Sequence, residues 1–267
     1  MKLIKLFLTT LWLFSFSAHC FAKEPLYLRL LTDFTNEDLS ELDHLSTNGK
    51  KEVANSIILN REKISSKYDS HSIDSKAIEI FKRIKPEAIP LLVDAFNNDS
   101  HKIRNFASYC LGNVGPEAVQ PILETFKNKN PRVRYCGISA VVFLNGDEST
   151  DDKIPEVIQA LINLLDDPDI SVRDNACRTF GAFGTAATPA VPFLVKLLKD
   201  KSPKIRHDTL HALGMIGSST KDSIPIIAAM LHSEDTNTRV EATYALSEFD
   251  GASKPALPDL LQALHDP

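Results

Sequence analysis

A phrase of about thirty-three residues returns at least five times along the chain, and its arginines mark the register. These are Arg104, Arg134, Arg173, Arg206 and Arg239, spaced by 30, 39, 33 and 33 residues. An aliphatic residue precedes four of them (Ile103, Val133, Val172, Ile205), with Thr238 as the exception. Six residues past each arginine stands a small residue: Cys110, Ala140, Thr179, Ala212 or Ala245. The next position is apolar, and ten past the arginine comes a large apolar group: Val114, Leu144, Phe183, Ile216 or Phe249. A repeat of this length predicts a solenoid, in which each unit contacts its sequence neighbours, rather than a single globular core.

The copy from Ala190 to Gly217 shows the unit. Pro192 opens a first helix, where a missing N–H costs nothing because first-turn donors have no intrahelical partner. Val191, Leu194, Val195, Leu197 and Leu198 form its apolar stripe. Lys199–Pro203 stops it, and a second helix runs from about Lys204 to Ile216, closed by Gly217. Pro90, Pro225 and Pro258 mark the same helix start in other copies. Pro121 comes one residue late, and Pro155 comes early, which predicts a first helix one turn longer. The polar stretch Gly146–Asp152 reads as an inter-repeat loop. On the second helix, positions +3, +6, +7 and +10 from the arginine share one face, and +3 holds Ala, Gly or Thr, so paired helices can approach closely.

The pattern P-x-L-x-x-L-L-x-D-x-x-x-x-V-R-x-x-A-x-x-A-L-G-x-I-G, carried best by Pro192–Gly217 and Pro155–Gly184, resembles HEAT repeats, and in particular the HEAT-like type of the bilin lyases. The resemblance covers about residues 76–267. It implies an all-α, right-handed α-solenoid (an α-α superhelix, ARM/HEAT-like) of five to six stacked helical hairpins. It also implies that an Asp six residues before each arginine pairs with that arginine. Asp167 and Asp200 match; Asn98, Asn128 and Ser233 depart. Some HEAT-like enzymes hold two irons with His-Glu pairs, but no His-Glu dipeptide occurs here.

The two ends read differently. Met1–Ala22 has a basic start at Lys2 and Lys5, an apolar Leu6–Phe16 and small residues at Cys20 and Ala22, the pattern of a secretory signal cleaved after Ala22. An uncleaved anchor and a lipoprotein centred on Cys20 are the competing readings. Cleavage predicts a periplasmic or secreted chain with no stable membrane span. Losing two lysines leaves 28 basic against 35 acidic residues, a formal charge of −7. Such a chain lacks the field that drives phosphate-backbone binding, so nucleic acid is not an expected partner. Residues 23–75 carry no repeat and read as a helical N-terminal cap, or else as a mobile recruitment arm. A Thr35–Asp38 capping box opens a helix through Leu45, Asn48-Gly49 ends it, a second helix spans Lys51–Ser66, Lys67–Ser75 is a loop, and a last helix spans Ser75–Ile84. Pro255–His265 reads as one more first helix.

Searching for chemistry returns little. There is no Gly-rich phosphate loop, Gly-x-Ser-x-Gly, His-Glu-x-x-His or Cys-x-x-Cys, and no residue set that calls for a cofactor or a resident metal. Asn98-Asp99-Ser100 matches a glycosylation acceptor that matters only in a eukaryote. Cys110, Cys136 and Cys177 read as buried thiols, with a Cys136–Cys177 bridge as the alternative. The arginine row reads as a turn signature, each stem packed and each guanidinium bonding its turn. Positions +1 and +5 of the second helices point away from the core and predict an inner, concave binding face: Asn105/Tyr109, Tyr135/Ser139, Asp174/Arg178, His207/His211 and Val240/Tyr244. Tyr109, Tyr135, Asp174, Arg178, His207, His211 and Tyr244 are the expected partner contacts. His207 and His211, one turn apart, would alternatively share a metal with Asp174. The expectation is therefore a non-catalytic scaffold for another protein or peptide, with a metal-dependent or small-molecule enzyme on the same scaffold as the competitor. Oligomeric state is left open.

Overall fold

The structure is a computed structural model that describes residues 26–32, 36–61, 70–144, 148–217 and 223–263. The expected signal at residues 1–22, Thr35 and Ile64 lie outside the described residues. All regular elements among the described residues are helices. The N-terminal ones are α1 (Leu26–Thr32), α2 (Asn36–His44), α3 (Thr47–Leu59) and α4 (Ser70–Arg83). Five repeat hairpins follow: α5 (Lys85–Asp94) with α6 (His101–Asn113), α7 (Val119–Thr125) with α8 (Pro131–Val141), α9 (Ile154–Asn163) with α10 (Ile170–Ala182), α11 (Val191–Leu197) with α12 (Pro203–Ile216), and α13 (Ile224–Ala229) with α14 (Thr236–Ser247). Helix α15 (Leu257–Ala263) comes last. Second helices stack in sequence order, α6 on α8 on α10 on α12 on α14, and one apolar core runs the length of the stack. This is an all-α solenoid.

Each hairpin turn is closed in the same way. The residue six before the arginine folds its side-chain oxygen over the turn and accepts the N–H two residues on. Asn98 Oδ1 takes Ser100 N (2.9 Å), Asn128 Oδ1 takes Asn130 N (2.9 Å), Asp167 Oδ1 takes Asp169 N (2.9 Å), Asp200 Oδ1 takes Ser202 N (2.7 Å), and Ser233 Oγ takes Asp235 N (3.2 Å). The residue four before the arginine then caps the second helix: Ser100, Asn130, Asp169, Ser202 and Asp235 all accept from first-turn amides. Finally the arginine folds back, and its Nη1 donates to two turn carbonyls in every copy, for example Arg104 to Asn98 (2.7 Å) and Asp99 (2.8 Å). Arg134, Arg173, Arg206 and Arg239 repeat the arrangement.

The in-repeat Asp–Arg carboxylate pair is therefore corrected. Side chains with a short acceptor can fold this turn, which is why Asn and Ser stand in for Asp. Where the carboxylate of Asp167 does bind an arginine, it binds that of the preceding repeat. Arg134 Nε and Nη2 grip its two oxygens at 2.7 Å each, with both side chains at most 10% exposed.

Close approach depends on small residues. A Cβ on Gly137, at +3, would lie 1.9 Å from Thr125 Oγ1 of the partner first helix. A Cβ on Gly112, at +8, would lie 2.2 Å from the Ala140 carbonyl oxygen on the next second helix. The second row is packed more closely along its length than the first row. The exposed side of this second-helix row is the face expected to be the inner one.

Several boundaries differ from expectation. Helix α5 begins at Lys85, with Pro86 in its first turn, so Pro90 lies inside a helix and not at its start. Asn48-Gly49 do not end a helix: Ser46 Oγ accepts Gly49 N at 3.2 Å and makes these residues the first turn of α3. Helix α3 ends at Leu59 with Asn60 as its cap, and α4 begins at Ser70, within the stretch expected to be a loop. Position 75, the expected end of the cap segment, thus falls inside α4. That helix continues the second row against α6, and α3 continues the first row against α5. The inter-repeat stretch is helical in part: Glu148–Lys153 forms a 3-10 turn tied by Thr150 Oγ1 to the Leu144 carbonyl at 2.6 Å. Helix α9 is longer than α11, as the early Pro155 predicts. Gly217 closes α12 at φ 72°, donating its N–H to the Leu213 carbonyl. Cys110, Cys136 and Cys177 are free and buried, so no Cys136–Cys177 bridge exists; burial raises all three thiols, Cys177 to about 12.

Asp167→Asn keeps the turn acceptor but leaves Arg134 buried without its counter-charge, and should cost about 3 kcal/mol in denaturant unfolding. Asp200→Asn, whose carboxylate folds only its own turn, should stay within about 0.5 kcal/mol of the parent. Equal effects at the two positions would contradict the inter-repeat clamp.

Candidate functional site

The inner face is read best from the exposure of its second-helix residues. Between α6, α8 and α10 lies an open cleft of about 460 Å³, lined by Asn105, Tyr135, Ser139, Phe143, Asn175 and Arg178 among others. Val142 and Ala182 add apolar wall. Its polar groups are tightly organised. Ser139 Oγ donates to the Tyr135 carbonyl at 3.0 Å, and Asn175 Nδ2 donates to that same carbonyl and to Ser139 Oγ, both at 3.1 Å. Asn175 Oδ1 then accepts from Arg178 Nη2 at 3.1 Å. Asn175 is 2% exposed, so this amide is a buried positioning group while Arg178 is exposed.

The seven expected contacts fall into separate groups along the second helices. Tyr135 and Arg178 share the cleft. Tyr109 is half-buried: its ring stands edge-on to Phe143, centroids 5.0 Å apart at 87°, and it buttresses the cleft wall. His211 and Tyr244 lie together in a shallow hollow with Met215 and Glu241, and Tyr244 is 63% exposed. Asp174 and His207 belong to a charged seam running across α10, α12 and α14. Asn175, Ser108 and Phe143 were not singled out from the sequence. The signal for Asn175 was present: at +2, α6 and α8 carry Phe106 and Cys136, so a polar side chain in that interior row needs a partner. A second hollow of similar size lies between the first helices α7 and α9, but the Gln120–Glu156 bond (2.8 Å) and the Lys127–Glu124 pair (2.7 Å) already satisfy its rim.

In the seam, Lys204 bridges the carboxylates of Asp174 and Asp208, and His207 Nδ1 lies 3.5 Å from Glu241. Lys204 occupies the carboxylate offered as a third metal ligand to His207 and His211. Among the described residues no three His, Cys, Asp or Glu side chains gather where they could hold a metal ion. Burial, and then the hydrogen bond shared with Asp208, hold the Asp174 carboxyl above its ordinary range, against the pull of Lys204. Burial pushes Asp208 the same way, but its bonds to Asp174 and Lys204 carry it below that range. A carboxyl raised on folding favours the folded state while protonated, and that contribution disappears as pH rises through its folded value. Asp174→Asn should therefore raise Tm at neutral pH, with the gain shrinking as pH falls toward the ordinary carboxyl value of 3.8. Thermal melts across that range check the sign.

Comparison with known proteins agrees with the architecture. A family described as HEAT repeats matches residues 158–247 and 191–267, and a HEAT-like repeat family matches residues 131–183. No curated protein matches the sequence. Among solved structures, the karyopherin Kap121p bound to Ste12p matches with a TM-score of 0.58 at 15% identity, over 90% of this chain and 30% of that one, so this chain spans under a third of Kap121p. The complex of CpcE and CpcF of phycocyanin lyase from Nostoc sp. PCC7120 matches with a TM-score of 0.52 at 21% identity, over 59% of this chain and 97% of that one. An engineered protein matches with a TM-score of 0.50 at 19% identity, over 80% and 95%. At such identities the likeness concerns the fold. The chain is an α-solenoid that carries HEAT-type repeats over residues 131–267.

Proposed function

We propose that the protein is a non-catalytic scaffold that binds a segment of another protein along the inner face of its second helices. The observation that carries this reading is the cleft across α6, α8 and α10, where apolar walls meet a pre-positioned guanidinium. Ser139 and Asn175 are held by hydrogen bonds before any ligand arrives, so little of their conformational freedom is lost on binding. Ligand sites of this kind combine apolar lining with a few oriented polar groups. Kap121p, similar in fold, is a protein whose structure holds a protein partner. The charged seam and the Tyr244 hollow extend the same face toward the C-terminal repeats.

Cross-linking with mass spectrometry on the native full chain should place partner contacts on second-helix residues around Tyr135 and Arg178. Tyr135→Ala should reduce partner capture at least about tenfold while shifting Tm little, since its ring is only half-buried. Cross-links confined to the first-helix face would overturn the inner-face reading. Stoichiometric metal that survives dialysis of the purified protein would favour the enzyme instead.

The same reading places the scaffold outside the cytosol, because Met1–Ala22 has the make-up of a cleavable signal. Intact-mass measurement of the protein from the exported fraction should give a chain beginning at Lys23. A full-length mass would favour the uncleaved anchor over cleavage, and absence from that fraction would refute export.

A further inference from the structure

Arginines in this chain are almost all committed. Arg104, Arg134, Arg173, Arg206 and Arg239 close hairpin turns. Arg29, Arg61, Arg83 and Arg132 face Glu41, Asp74, Asp43 and Asp99. Arg178 is the exception. Among the described residues it forms no ion pair, although acidic side chains outnumber basic ones. Its one described bond goes to Asn175, a neutral amide that is buried and fixed by the Tyr135 carbonyl and Ser139. That bond does not neutralise the guanidinium. It holds the guanidinium in place at the cleft that Arg178 lines.

The cleft beside Arg178 is walled by Val142, Phe143 and Ala182, and the Phe143 ring is held by the edge-on ring of Tyr109. A cation at the lip of a rigid apolar trough selects for a ligand that brings an anion and an apolar group side by side. We propose that this cleft binds an Asp or Glu side chain flanked by an apolar residue within a partner segment. The carboxylate takes the fork of Arg178, and the neighbouring apolar side chain lies against Phe143 and Val142. The inference rests on the scaffold reading above and names the chemistry of its partner. Charge complementarity sets the occupant: along the same face the seam carboxylates of Asp174, Asp208 and Glu241 face Lys204 and His207, whereas Arg178 faces no carboxylate among the described residues and is where an acidic residue would be welcomed.

The test is selection of random peptides on the purified full chain. The peptides are displayed through their C-termini, so that every carboxylate offered is a side chain. The expected result is enrichment of Asp or Glu next to Phe, Leu, Ile or Val. Synthetic versions of the winners, C-terminally amidated, should lose at least about tenfold in affinity when the acid becomes its amide, and as much against Arg178→Gln. Arg178→Lys, which keeps the charge but not the fork, should fall between. Both variants should remain folded, with Arg178→Gln melting slightly below the parent because it leaves the buried Asn175 oxygen without its donor. Winners that lack an acid, or that bind Arg178→Gln as well as the parent, overturn the carboxylate site and leave the scaffold reading standing. A library that yields no specific binder at all overturns both.

Discussion

Folding back of an arginine onto the turn that precedes its own helix is the constraint on which the stack depends. A hairpin of two short helices leaves carbonyls at the end of one and amides at the start of the next without partners. In each of the five repeats a side-chain oxygen six residues before the arginine, a cap four before it, and the guanidinium itself satisfy those groups together. The turn is then rigid enough to hold its helices at a constant offset. Without that constancy, successive apolar stripes would not meet, and several of the first helices, only six or seven residues long, are too short to hold themselves.

Between repeats a second interaction takes over. Gly112 lets the Ala140 backbone approach to a distance no side chain would permit, and the Arg134–Asp167 fork ties one turn to the next. Polar side chains also enter the seam between second helices in the later repeats: Asn175 against Tyr135 and Ser139, Asp208 against Asp174, Glu241 against His207. The first two second helices carry Phe106 and Cys136 in that row. The face therefore changes character along its length, from a cleft with apolar walls to a charged seam, on an unchanged backbone plan.

What could be read from the sequence follows the same division. Register, helix pairing and the role of the arginines were legible because they recur, and recurrence cancels the ambiguity of any one copy. The pairing of Asp167 with the preceding repeat was not, because an Asp in a turn serves its own backbone equally well and only the stacking distance decides. Pro90 misled because its register is right and its helix starts a turn earlier. On the inner face, position named the candidates but not their neighbours. Tyr109, expected as a partner contact, also stands edge-on to Phe143; the polar Asn175, following Phe106 and Cys136 in the same row, needed a partner that only the packed structure shows.

The uneven packing of the two helix rows has a mechanical meaning. Where one side of a coil is in near-contact and the other is looser, flexing stretches and relaxes the loose side while the tight side keeps its length. The inner row is thus the neutral line of the spring. Thermal bending and twisting of the whole coil should leave the width of the cleft beside Arg178 nearly unchanged. A ligand gripped there would feel a firm jaw even while the ends of the molecule swing.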